Sequence, residues 1–318
     1  HIMKNIFVNK NSQIRSGWKI AIVFISFIFT VSILSAFIGF IFTLYQIAIA
    51  KGDLSHIMES TNNLEATLSN IDSGLGLALN ILQCLILILC IVLFWKLLDK
   101  KPIRDIGMIS LKKGYKDLIH GLLFGAISLL MVFAILLLSK NISLAKPLTE
   151  PNFNISLITG FILFIFVGIN EEMFVRGYCM TVLKQTGKTS VVVVISSIIF
   201  SLMHALNPGM NALSYTNLFL FGLLMAYITI KSKNLWFAIG YHITWNYFEG
   251  NICGFLVSGQ ETSSLFTLEK VNPNILNGGS FGPEGGLVVT FILLLSFLYM
   301  WKVYKPSIEN NEINSIHK

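Results

Sequence analysis

Charge is scarce in this chain. Asp, Glu, Lys and Arg make up 12% of its 318 residues and hydrophobic residues 54%, whereas a soluble globular domain is roughly 25% charged. That balance excludes a water-soluble globule and points to a polytopic membrane protein. Cysteine is equally sparse. Cys84, Cys90, Cys179 and Cys253 fall in or beside apolar runs with no CxxC spacing, which excludes a disulfide framework and a zinc knuckle. There is no repeat period and no low-complexity tract. The longest connections, about 51–74 and 256–286, are too short for a separate soluble domain. No cleavable signal peptide is expected, because the first apolar run is far longer than a signal h-region and lacks a small-residue cleavage site. His1-Ile2-Met3 reads as a cloning remnant ahead of the native start, so residues 1–2 carry no functional reading. The net charge of +7 comes from basic residues scattered between apolar segments. No aromatic-laced basic patch exists, so nucleic acid is not an expected partner.

What the chain does have is apolar runs near the length that spans hydrocarbon as a helix, about 20 residues. Eight emerge: Ile20–Leu44, Leu75–Trp95, Leu118–Leu138, Ile155–Gly168, Val191–His204, Tyr215–Ile230, Leu235–Phe255 and Leu287–Trp301. The expected fold is all-α, a membrane bundle of about eight helices around a polar cavity. The fourth, fifth and sixth runs are short and span only by continuing through polar residues, as helices lining a wet cavity do. With eight spans, Lys51, Lys140, Lys146 and Lys270 lie on one side and the rest of the 23 Lys and Arg residues on the other. The positive-inside rule then puts both termini in the cytoplasm, with the chain in the cell membrane. The expected layout is a cytoplasmic segment 1–19, three N-terminal helices in 20–150, a functional core in 151–256, an outer connection and last helix in 257–304, and a cytoplasmic tail 305–318. The glycine-rich stretch Gly278–Gly286 reads as an irregular turn capping the outer face.

Ionisable residues inside these runs are the chemical signal, because a charge in hydrocarbon costs at least about 2.5–3.5 kcal/mol. The fourth run leads into Glu171-Glu172-Met173-Phe174-Val175-Arg176. On a helix Glu172 and Arg176 are i,i+4 neighbours that can pair, whereas Glu171 points elsewhere and is left free for general-base work. A purely structural Glu–Arg clamp is the plainer reading of the pair. Phe200 and His204 follow at i,i+4, with Asn207-Pro208 just beyond. His204 by itself fits a satisfied core histidine as well as a catalyst. His242 and Asn246 share one face of the seventh helix, so both can donate hydrogen bonds into one spot, as an oxyanion intermediate requires. An interhelical polar clamp is the alternative. Glu249, a turn further on, either lines the same cavity or pairs with another group. Taken together, the groups suit hydrolysis by an activated water, with no acyl-enzyme.

The ordered set Glu-Glu-x-x-x-Arg, Phe-x-x-x-His and His-x-x-x-Asn on three helices resembles the CPBP family, the CAAX-protease and bacteriocin-processing (Abi) intramembrane glutamate endopeptidases. The resemblance covers roughly residues 155–255. It implies that Glu171 activates water with help from His204, that His242 and Asn246 form the oxyanion site, and that Glu172, Arg176 and Phe200 support them. It implies no cofactor and no metal. The expected substrate is a peptide or small membrane protein in the bilayer. Eukaryotic relatives remove three terminal residues from prenylated CAAX proteins, and bacterial members are linked to peptide processing and bacteriocin immunity.

Two other readings stand beside this one, and a third, an ion or solute transporter, would require paired half-helices in corresponding halves of the chain, a symmetry the sequence lacks. Glu171, Glu172, His204 and His242 can be written as a zinc protease site, although no His-Glu-x-x-His helix is present. A non-proteolytic regulator or immunity protein, in contact with a membrane signalling protein, is the other. The sequence also poses a geometric problem. Glu171 near a helix end and His204 deep in the next helix do not meet, unless the fourth helix begins nearer Pro151 and the fifth is tilted or starts near Lys184.

Overall fold

The computed structural model describes residues 6–51, 53–269 and 272–307; the expected cloning remnant, Lys270 and most of the expected tail lie outside them. Helix α1 (Ser16–Ala50) leads into the shorter α2 (Leu54–Ser69), then α3 (Gly74–Phe94) and α4 (Leu111–Leu138). Helix α5 (Ser156–Glu172) runs without a break through a π-helical turn, Met173–Cys179, into the short α6 (Met180–Leu183). Helices α7 (Thr189–Met203), α8 (Ala212–Ser232), α9 (Trp236–Tyr247) and α10 (Leu287–Lys302) complete the bundle. No strand forms among the described residues. Five helical stretches are long and apolar enough to cross a membrane: Ser16–Ala50, Gly74–Asp99, Ile103–Leu138, Ser156–Thr186 and Ala212–Ser232. With the shorter α7, α9 and α10 they make the polytopic bundle expected from the sequence.

Contacts between helix ends show that these segments alternate in direction. At one end the Lys19 ammonium meets Asp99, the Tyr178 hydroxyl donates to the Lys19 carbonyl (3.1 Å) and the Trp236 indole donates to the Ile109 carbonyl (2.9 Å). Buried Asp117 there accepts from Asn234 at 2.7 Å and from the Tyr304 hydroxyl at 2.9 Å, tying α4 to the α8–α9 turn and the chain after α10. At the opposite end Ala145 donates to Thr267, Asn152 to Leu265, and Ser263 to Asp72.

Helix α9 occupies the centre, and every residue from Phe237 to Asn246 is buried. A helix buried on every side, its few polar groups included, sits where neighbours surround it. Small residues let them approach. A Cβ on Gly121 would stand 2.1 Å from the Phe237 carbonyl, one on Gly125 2.3 Å from that of Tyr241, and one on Gly240 2.5 Å from that of Leu118. This is the glycine-mediated packing that membrane helices use where no hydrophobic effect drives association. Helix α1 lies at the periphery, with only Lys19, Val23 and Gln46 buried along its 35 residues.

Two sequence expectations need correcting. The helix carrying Glu171 starts at Ser156, not near Pro151, and continues to Thr186; its partner starts at Thr189, not at Lys184. Glu172 therefore lies 14 residues before Thr186 and Met203 lies 14 residues after Thr189, about 21 Å along each arm of the hairpin at 1.5 Å per residue. Glu171, Glu172 and His204 thus share one level because the first helix overruns the apolar stretch, and no tilt is needed. The glycine-rich stretch forms an irregular turn, with short 3-10 turns at Gly279–Phe281 and Pro283–Gly285, and it packs into the bundle. Phe281 through Gly286 are buried, and Asn217 on α8 donates to the carbonyls of Glu284 and Gly286, both at 2.8 Å.

Candidate active site

Glu171 and Glu172 end α5, and the π-helical turn that follows is buried along its whole length. Such turns insert an extra residue into the helical register and recur at functional sites. Glu172 is fully buried, while the Glu171 side chain keeps 21% of its surface exposed. Glu172 makes two contacts. One oxygen stands 3.1 Å from Arg176 Nε, an ion pair outside hydrogen-bond alignment; the other accepts from His242 Nδ1 at 2.7 Å. The sequence anticipates the first partner and misses the second, because the i,i+4 rule speaks only of one helix.

His242 is thereby held between both carboxylates. An ionised carboxylate can only accept, so Nδ1 carries a hydrogen, and Nε2 faces Glu171 Oε2 at 3.6 Å. That distance is too long for a hydrogen bond. Glu171 Oε2 is buried and has no hydrogen-bond partner among the described residues. Asn246, one turn along α9, is also buried, and its side-chain amide has no protein partner there.

His204 closes α7 at its C-terminal cap. Its Nδ1 donates to the Phe200 carbonyl at 2.9 Å. A carbonyl only accepts, so the neutral ring has a bare Nε2 that can take a hydrogen bond from water. Phe200 is the hub of the site. The Arg176 guanidinium lies 4.3 Å from its ring centroid, and both His204 (4.9 Å) and His242 (5.9 Å) meet it edge-on. Phe221 on α8 packs on Phe200 at 5.5 Å and on His242 at 5.2 Å, a wall the sequence did not single out. No ion pair or hydrogen bond joins His204 to Glu171 among the described residues. No three His, Cys, Asp or Glu side chains there converge as metal ligands would.

Residues 153–248 match the model of the Rce1-like family, described as type II CAAX prenyl endopeptidase. That stretch of the chain is similar to the CAAX proteases. The matched stretch contains Glu171, Glu172, Arg176, Phe200, His204, His242 and Asn246 and stops one residue short of Glu249. No curated protein and no solved structure matches the chain. The match supports a CAAX-protease-type membrane endopeptidase in general, and the apolar helices fit a multi-pass membrane protein.

Glu249 lies in the π-helical turn Phe248–Ile252 that ends α9. It is fully buried, with neither carboxylate oxygen hydrogen-bonded among the described residues. The nearby Glu284 carboxylate is satisfied, accepting from the Trp245 indole at 3.1 Å and the Ser258 hydroxyl at 2.5 Å. Glu284 sits in the glycine-rich stretch 36 residues after the match ends. Nothing in its local sequence marked it as buried.

Proposed function

We propose that the chain is a metal-independent glutamate endopeptidase that hydrolyses a peptide bond of a membrane-associated peptide or small membrane protein. Its catalytic core would be residues 151–256, in the cell membrane with both termini cytoplasmic. The observation that carries the reading is His242, held by Glu172 on one nitrogen and facing Glu171 with the other.

Glu171 takes a proton from a water that the bare Nε2 of His204 orients. The hydroxide oxygen adds to the scissile carbonyl carbon. The oxyanion that forms accepts from Asn246 Nδ2 and from His242 Nε2. With Nδ1–H engaged by Glu172, His242 donates from Nε2 as the imidazolium, whose charge the Glu172 carboxylate and the oxyanion itself compensate while Glu171 holds the water proton. When the C–N bond breaks, Glu171 returns its proton to the leaving amine. Each step uses a group already at the site, and a buried donor aimed at developing charge is worth about 10²–10³ in rate. Arg176 and Phe200 fix Glu172 and the two imidazoles and touch no reacting atom.

The test is a peptide panel offered to micelle-purified protein: isoprenylated peptides with a free C-terminal CAAX sequence, and hydrophobic leader-like peptides, with products mapped by mass spectrometry. A single cut bond in one class supports the reading and defines the substrate. Well-folded protein that cuts neither class overturns it in favour of a contact-based membrane regulator or immunity protein.

A further inference from the structure

Glu284 lies outside the stretch that matches the family and is 6% exposed. No Lys, Arg or His stands within ion-pair distance of it among the described residues. A buried carboxylate without a cation is costly unless hydrogen bonds replace its water. Each of its oxygens has a donor: the Trp245 indole at 3.1 Å from Oε1 and the Ser258 hydroxyl at 2.5 Å from Oε2.

These two donors lead to different parts of the candidate site. Trp245 immediately precedes Asn246 on α9. Its buried indole stacks on Tyr241 and packs on Phe221, both at 5.8 Å, so holding the indole fixes the turn of α9 that carries Asn246. Ser258 sits in the left-handed region at φ 46°, uncommon for a residue with a side chain. Backbone of that kind persists only where its surroundings enforce it. The Ser258 carbonyl accepts from Asn207 Nδ2 at 3.0 Å, and the Asn207 backbone N–H donates to the His204 carbonyl at 2.9 Å. The two loops are in close contact, since a Cβ on Gly259 would stand 2.3 Å from the Pro208 carbonyl oxygen. One line of hydrogen bonds therefore runs from His204 through Asn207, Ser258 and Glu284 to Trp245, beside Asn246.

We propose that Glu284 is a positioning residue for the hydrolysis, whose two oxygens set the place of His204 relative to Asn246. A carboxylate suits that task because both oxygens accept, so one rigid group holds two donors at once. Glu284 touches no reacting atom. It acts by keeping the imidazole that orients the water and the amide that receives the oxyanion in register, where a misplacement of about 1 Å costs about 10² in rate. The role rests on the proteolytic reading.

The test compares full-length wild type in micelles with Glu284→Leu, which removes both acceptors, and Glu284→Gln, whose amide oxygen accepts from Trp245 while its NH₂ donates to the Ser258 hydroxyl oxygen. Steady-state kinetics on the peptide that wild type cuts is paired with hydrogen exchange read by mass spectrometry. Glu284→Leu is expected to lower kcat by about 10² with KM nearly unchanged, and to speed exchange in residues 205–211 and 245–250 while the rest of the bundle keeps its protection. Glu284→Gln should recover most of both losses. If Glu284→Leu does not fold, Ser258→Ala cuts only the arm toward His204 and should lower kcat with faster exchange in residues 205–211 alone. Unchanged kcat, exchange that rises throughout the bundle, or Glu284→Gln as impaired as Glu284→Leu would overturn the role. Wild type that cuts no peptide would overturn the role together with the proteolytic reading, whereas active wild type beside unaffected variants would overturn the role alone.

Discussion

Replacing Glu172 by glutamine tests whether the Arg176–Glu172–His242 chain is held by charge. Glutamine keeps the carbonyl oxygen that accepts from His242 Nδ1, now at 2.7 Å, so the imidazole keeps its orientation. What disappears is the negative charge 3.1 Å from Arg176 Nε. Arg176 is buried and has no other anionic partner within ion-pair distance among the described residues. An uncompensated buried charge of this kind costs about 3–5 kcal/mol. At roughly 2 °C per kcal/mol, Glu172→Gln should melt about 6–10 °C below wild type in micelles. Arg176→Met removes the cation and keeps most of the packing on Phe200. The double variant should therefore recover much of the loss, giving a coupling energy of about 2–3 kcal/mol. Single-variant costs that add to within about 0.5 kcal/mol would refute the charge argument and leave Glu172 as a packing residue.

Three further outcomes follow from the geometry. Glu171→Gln should lower kcat by about 10²–10⁴ while moving the unfolding midpoint little, because the side chain is part-exposed and Oε2 makes no hydrogen bond; steady-state kinetics beside a melting curve checks both halves. Asn246→Ala should lower kcat by about 10²–10³ with KM nearly unchanged, since its donor acts on charge that appears only in the transition state. Gly121→Ala should destabilise the bundle by about 1–3 kcal/mol, because the new Cβ would lie 2.1 Å from the Phe237 carbonyl, and unfolding of the purified variant measures it.

The parts of this structure legible in the sequence are those that local rules govern. Apolar runs of spanning length reveal the bundle, and i,i+4 spacing reveals the Glu172–Arg176 pair and the shared face of His242 and Asn246. The level of Glu171 was not legible, because hydropathy ends the helix where polar residues begin, whereas the helix continues through Met173–Cys179 to Thr186. Those residues are buried in protein, not lipid, so polarity does not stop the helix there. The His242–Glu172 bond joins residues 70 apart, and no spacing rule reaches that far. Glu284 was missed for a related reason. Glycines and a proline read as a surface turn, yet glycine also lets backbone approach closely: a Cβ on Gly282 would stand 2.4 Å from the Leu256 carbonyl. That close fit lets the segment enter the bundle.

The most direct measurement of the central claim is the rate at which metal-stripped wild type and Glu171→Ala cut, in chelator, the peptide that wild type cleaves. The account predicts full activity for chelated wild type and none above background for Glu171→Ala. Loss of wild-type activity that zinc restores, or cleavage that survives without the Glu171 carboxylate, would contradict it.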